Sequence, residues 1–83
     1  MMIKLTEARY RGEFQVSLLF SDGKEGVFVG RELLKRSGPL LEPLRDEAYF
    51  KRFFIDAGAL SWPNGLELSP ARLHETCRVM TAA

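Results

Sequence analysis

The stretch Trp-Pro-Asn-Gly-Leu-Glu-Leu-Ser-Pro, residues 62–70, restricts the possible fold more than any other part of the chain. Pro63 fixes its φ angle near the value required at the second position of a β-turn, and the Asn-Gly pair that follows can adopt the left-handed conformation that closes the turn. Ser69 and Pro70 are typical of the N-cap and the first residue of a helix. The sequence therefore predicts a tight turn that leads directly into a C-terminal helix.

Size and composition fit one small soluble domain. The chain has 83 residues, of which 46% are hydrophobic and 28% charged, and this length predicts a single domain over residues 1–83. Twelve Lys and Arg against eleven Asp and Glu give a net charge of +1, whereas a domain that coats nucleic acid is usually far more basic. Nucleic acid is therefore a possible partner but not the favoured one.

The cysteine content and the apolar runs predict a cytoplasmic protein with no membrane partner. The chain has one cysteine, Cys77, which cannot form an internal disulfide and fits a reducing compartment. No apolar run approaches the ~20 residues that a membrane-spanning helix needs. Glu7 stands where a signal peptide would have its apolar centre.

Alternating polar and apolar residues predict three strands in the first half. The first ends at Gly12, and its alternation changes phase near Thr6 and Glu7, which predicts a β-bulge. A second strand covers residues 14–20, and a third covers residues 24–29. The Asp-Gly pair at residues 22–23 predicts the hairpin turn between them.

The second half mixes short helices with two more strands. A helix over residues 31–36 is followed by a loop, and Asp46 can cap a further helical turn over residues 47–51. Strands over residues 53–56 and 59–62 flank an Ala-Gly turn. In the last helix, the apolar residues Leu73, Cys77 and Met80 share one face.

This succession of elements predicts an α+β fold. The principal order is β-β-β-α-β-β-α, which indicates an antiparallel sheet of about five strands with helices on one face.

The motifs in this order also resemble those of a known family. The chain is similar to bacterial proteins grouped as domain of unknown function family 2442, over roughly residues 3–73. The matching segments are Phe20-Ser21-Asp22-Gly23, Leu33-Leu34, Leu44-Arg45-Asp46, Phe50 and Trp62-Pro63-Asn64-Gly65-Leu66-Glu67-Leu68-Ser69-Pro70.

The resemblance implies a small α+β domain, and it implies a gene beside that of a second small protein, an arrangement similar to toxin–antitoxin pairs. Four positions depart from the family pattern. Gly30 and Arg31 replace an Asp-Leu pair that caps the first helix, which predicts a weaker start to that helix. Leu66 replaces Ala, and Glu67 replaces Asp.

Few side chains in the sequence suggest catalysis. Asp22, Asp56 and Glu67 could converge as an acid–base cluster, but each could equally stabilise the turn beside it. His74 and Cys77 lie three residues apart, yet the chain has no other His or Cys to complete a zinc site. We predict no catalytic residue, no metal site and no cofactor.

The candidate partner-binding residues are Trp62, Asn64, Glu67, Arg9 and Arg11. Trp62 could fill the core or stand at a partner surface, where tryptophan is enriched. Arg9 and Arg11 share one strand face and could contact phosphates. We expect a protein-interaction module that pairs through exposed strand edges, either with a second copy or with an antitoxin-like partner. A nucleic-acid-binding regulator is the alternative, and a small enzyme is the least favoured hypothesis.

Overall fold

A bulged hairpin and a third strand form the first half of the fold. The computed structural model describes residues 2–79, and in it β1 spans Leu5–Gly12, β2 spans Gln15–Phe20 and β3 spans Glu25–Val29. The register of β1 against β2 shifts between Leu5 and Glu7, which confirms the predicted bulge. The Asp-Gly hairpin is also confirmed, with Gly23 at φ +89°.

The first helix is a single turn, α1, at Gly30–Leu33. It is shorter than the predicted stretch 31–36, and its N-cap residue, Val29, makes no side-chain capping hydrogen bond. Gly30 has no room for a side chain, because a Cβ there would lie 2.6 Å from the Phe14 carbonyl oxygen and 2.6 Å from the Phe50 ring. Gly30, which weakens the start of the helix, is therefore required by the close packing around it.

A 3₁₀ turn at Glu42–Arg45 and the short helix α2 at Glu47–Phe50 follow. The Asp46 side chain accepts a hydrogen bond from the Ala48 N–H at 3.1 Å, which confirms the predicted cap. This helix delivers Phe50, whose side chain is fully buried, to the centre of the molecule.

Three short strands form the second half: β4 at Phe54–Asp56, β5 at Ala59–Ser61 and β6 at Glu67–Leu68. The predicted turn after Trp62 joins β5 to β6. The Trp62 N–H donates to the Leu66 carbonyl at 3.0 Å, the Gly65 N–H donates to the Trp62 carbonyl at 3.1 Å, and Gly65 has φ +93°.

The last helix, α3, spans Pro70–Thr76, and β7 follows at Arg78–Val79. Ser69 is the N-cap, as predicted, and its hydroxyl accepts from the Arg72 N–H. The predicted face shared by Leu73, Cys77 and Met80 is wrong for its second member, because Cys77 is extended and leads the chain into β7. Met80 lies outside the described residues.

The α+β class is confirmed, but the prediction of one five-stranded sheet is wrong. Sheet A has the order β1-β2-β3-β7, and sheet B has the order β4-β5-β6. β7 occupies the side of β3 where a later strand would have been added, since it pairs with Gly26 and Val27. Two tight turns fold β4, β5 and β6 onto one another, so these strands form a separate sheet.

One hydrophobic core joins the two sheets and the helices. The buried core consists of Leu5, Val16, Leu18, Phe20, Phe28, Leu44, Phe50, Leu60, Trp62, Leu73 and Cys77.

No helix within residues 2–79 has the length and apolar character needed to cross a membrane.

Candidate protein-binding groove

A groove of about 690 Å³ lies between α1 and α3, and we call it the α1–α3 groove. β3 forms its floor, and β6, an edge strand of sheet B, borders it. Its lining residues fall into four segments of the chain: Val27 to Val29; Glu32, Leu33 and Arg36; Glu67 to Ser69; and Arg72, Leu73, Thr76 and Cys77.

Local interactions position the two walls. The α1 wall follows β3 without a loop, since β3 ends at Val29 and α1 begins at Gly30. The α3 wall is held at its far end by the β2–β3 hairpin, because the Lys24 ammonium donates to the His74 carbonyl at 2.7 Å. The His74 imidazole also contacts the Asp22 carboxylate, with Nε2 and Oδ2 2.8 Å apart.

The floor of the groove is apolar. Phe28, Leu73 and Cys77 belong to the core and also line the groove, so the groove opens directly onto core side chains. Burial raises the pKa of the Cys77 thiol, and the positive charge of Lys24 opposes that shift only in part. A thiol held in its protonated form is a weak nucleophile.

The rim of the groove carries charge. Glu32 and Arg36 lie on the α1 side, Arg72 lies on α3, and Glu67 lies on β6; all four are exposed. Glu32 has an interaction of its own within the protein. Among the described residues, the other three have no ion-pair partner within 4.0 Å, so their charges are available to an incoming molecule.

Glu67 is the predicted partner-binding residue that lines this groove. Trp62 is instead a core residue with 1% of its surface exposed, and its indole N–H donates to the Phe50 carbonyl at 2.9 Å. Of the two positions considered for Trp62, the core and a partner surface, the structure shows the core. Asn64 bridges two loops, because its amide donates to the Leu40 carbonyl at 2.9 Å and accepts from the Leu66 N–H at 3.1 Å.

Arg9 and Arg11 lie on a different surface. Both are exposed on β1, which is at the opposite side of sheet A from the β3–β7 pair. Arg9 lies 3.6 Å from the Glu7 carboxylate, so part of its charge is locally balanced. Arg11 also has an interaction of its own.

The groups considered for acid–base or metal chemistry are distributed over the molecule. Asp22 is in the β2–β3 turn, Asp56 ends β4 and Glu67 lies on β6. Within residues 2–79, no three His, Cys, Asp or Glu side chains form a set that could hold a metal ion.

The pKa of Asp22 is lowered, first by the hydrogen bond from the Lys24 backbone N–H and then by the hydrogen bond with His74.

The sequence did not predict a binding role for the other rim and wall residues, Arg36, Arg72 and Leu33. The spacing of these residues carries no local signal, because the groove forms only when α1, α3, β3 and β6 pack together. Glu67, which stands where the family has Asp, was the one lining residue that the sequence had indicated as a partner-binding candidate.

No curated protein and no solved structure matches the chain. A family model described as "protein of unknown function (DUF2442)" matches residues 5–78, which is most of the chain and agrees with the resemblance seen in its motifs. The chain therefore belongs to this family, DUF2442, whose description names no activity.

Proposed function

We propose that this protein is a protein-interaction module that receives a segment of its partner in the α1–α3 groove. The observation that carries the proposal is the groove itself, where core side chains form part of the lining between two walls and charged residues stand at the rim. An apolar centre with a polar rim is the usual composition of a protein–protein interface.

The size of the groove supports this function. A volume of about 690 Å³ accommodates several side chains of a bound peptide. β6 also borders the groove as an edge strand, and the backbone of an edge strand can pair with an extended partner segment.

The other polar residues of interest support binding more than catalysis. Asp22, Asp46 and Asn64 hold turns and helix ends through hydrogen bonds to backbone N–H groups. The His74 imidazole is engaged by Asp22, and burial raises the pKa of the Cys77 thiol. We therefore propose a binding protein and not an enzyme.

Two kinds of partner are proposed for this module. One is the product of a neighbouring gene, in an antitoxin-like pair, and the other is a second copy of the chain. Nucleic-acid binding through Arg9 and Arg11 has weaker support, because Glu7 lies beside Arg9 and the net charge of the chain is only +1.

The test is affinity purification from the native host with three versions of the chain. Thr76→Trp places a large ring at the groove, whereas Ala71→Trp places the same ring on α3 outside the groove lining. We expect the partner to be captured by the wild type and by the Ala71 variant, and to be lost with the Thr76 variant. Equal capture by all three versions would place the interaction elsewhere.

Self-association is measured on the same three versions by light scattering. A second copy in the groove would give twice the mass of the 9.4 kDa chain for the wild type and the Ala71 variant. It would give the monomer mass for the Thr76 variant.

A further inference from the structure

We infer that the segment bound in the α1–α3 groove is acidic, with carboxylates on both sides of an apolar residue. This inference rests on the proposed function and adds the chemistry of the partner. It is carried by the placement of two arginines in the lining of one groove with an apolar floor, Arg36 on the α1 side and Arg72 on the α3 side.

The two arginines stand on different elements. Arg36 follows α1, and Arg72 is on α3. A segment that fills the space between the walls therefore has one guanidinium on each side. Guanidinium groups recognise carboxylates by paired hydrogen bonds, and the pairing becomes stronger where an apolar surface excludes water.

No described side chain of the protein forms an ion pair with either of these two charges. Among residues 2–77, whose side chains are described, no carboxylate lies within 4.0 Å of either guanidinium. By contrast, Arg45 lies 3.4 Å from Glu42, and Arg9 lies 3.6 Å from Glu7. Among the described side chains, the groove arginines thus differ from these two surface arginines in having no carboxylate within 4.0 Å.

Two carboxylates, Glu32 and Glu67, also line the groove and refine the expected segment. Glu32 lies on α1 and has an interaction of its own within the protein, whereas Glu67 stands on β6 beside Leu68 and Ser69. A uniformly acidic segment would place carboxylates against both, at a cost in free energy. We therefore expect the acidic residues of the segment to lie beside Arg36 and Arg72, and an apolar or basic residue to lie toward β6.

The test is selection from a library of random displayed dodecapeptides on the wild-type chain, with the Thr76→Trp variant for comparison. Peptides that are enriched on the wild type and lost on the variant bind in the groove. We expect these peptides to carry an excess of Asp and Glu around one or two apolar residues. Groove-dependent peptides without that excess would overturn the inference and leave the proposed function standing.

A charge-reversal series makes the test quantitative. The selected peptide is titrated against Arg36→Glu, Arg72→Glu and the matched control Lys35→Glu, an exposed cation that does not line the groove. Each arginine reversal should weaken binding about tenfold, since attraction becomes repulsion, and the control should change it less than about threefold. Equal effects at all three positions would indicate attraction by net charge alone and would overturn the inference.

One further outcome would contradict the proposed function as well as the inference. If no peptide is enriched on the wild type over the Thr76 variant, the groove does not receive peptide segments, and both the inference and the proposed function fail. Circular dichroism of each variant confirms that the comparison is made between folded proteins.

Discussion

The indole N–H of Trp62 donates a hydrogen bond to the carbonyl oxygen of Phe50 at 2.9 Å. This contact joins the end of β5 to the end of α2, and the two side chains also pack at a centroid distance of 5.8 Å. Both side chains are almost completely buried. The first residue of the Trp-Pro-Asn-Gly motif therefore acts on the stability of the core.

Replacing Trp62 with Phe should lower the free energy of unfolding by about 2–4 kcal/mol. The smaller ring leaves a void, and the Phe50 carbonyl loses its indole donor. The loss is a large part of the stability of a small domain. The measurement is urea denaturation followed by far-ultraviolet circular dichroism, because Trp62 is the only tryptophan.

The matched control for Trp62 is Tyr49→Phe, which changes a half-buried aromatic residue by one hydroxyl group. This substitution should change the free energy of unfolding by no more than about 0.5 kcal/mol. A Trp62 variant as stable as this control would show that the indole is not part of the core.

Replacing Gly30 with Ala should lower the free energy of unfolding by about 2 kcal/mol or more. The added Cβ would lie 2.6 Å from both the Phe14 carbonyl oxygen and the Phe50 ring, so either the backbone or a buried ring must shift. Gly38→Ala is the control, because a Cβ there meets no atom within 4 Å. We expect the control to be neutral within about 0.5 kcal/mol; equal effects of the two substitutions would argue against close packing at Gly30.

Acid should destabilise the protein in part through Asp22. Its pKa is lowered in the folded state, so the folded state binds this proton less tightly than the unfolded chain, where the value is about 3.9. The stability that Asp22 contributes is therefore complete above about pH 4 and is lost as the pH falls through the lowered folded-state value. The Asp22→Asn variant should lose less stability than the wild type on acidification, as measured by urea denaturation at a series of pH values.

His74→Gln separates the two causes of this acid dependence. The hydrogen bond from the Lys24 backbone N–H is the largest single cause of the lowered pKa, and it remains in this variant. His74→Gln should therefore keep part of the difference in acid dependence between the wild type and Asp22→Asn. A variant that loses the whole difference would show that the imidazole dominates.

Cys77 should react slowly with alkylating reagents in the folded protein. Its side chain is 9% exposed, and burial raises its pKa. Iodoacetamide should modify it at least tenfold more slowly in buffer than in concentrated urea, as followed by mass spectrometry. Equal rates in the two solvents would indicate an accessible thiol and would revive a catalytic role for it.

Local chemistry explains which parts of this fold were predictable from sequence. Ser69, Asp46 and Gly23 each act on a backbone group within a few residues, so their caps and turns could be read directly. The bulge in β1 was visible because it changes the phase of the alternation. These features need no knowledge of distant residues.

The division into two sheets depends on distant residues and was not predictable in the same way. β4 has the pattern of a strand that could extend sheet A, and only the pairing of β7 with β3 shows that this position is taken. β7 itself covers only Arg78–Val79, which is too short to give a periodic signal. The groove was missed for the same reason, since Arg36 and Arg72 become neighbours of one cavity only in the folded chain.

Site-specific photo-crosslinking in the native host tests the central claim most directly. A photoreactive amino acid is placed at Thr76 in the groove, at Ala71 on the same helix outside it, or at Arg9 on β1. We expect position 76 to give a cross-linked protein product that is heavier than the 9.4 kDa chain. A product from position 71 or 9 with none from position 76 would contradict it.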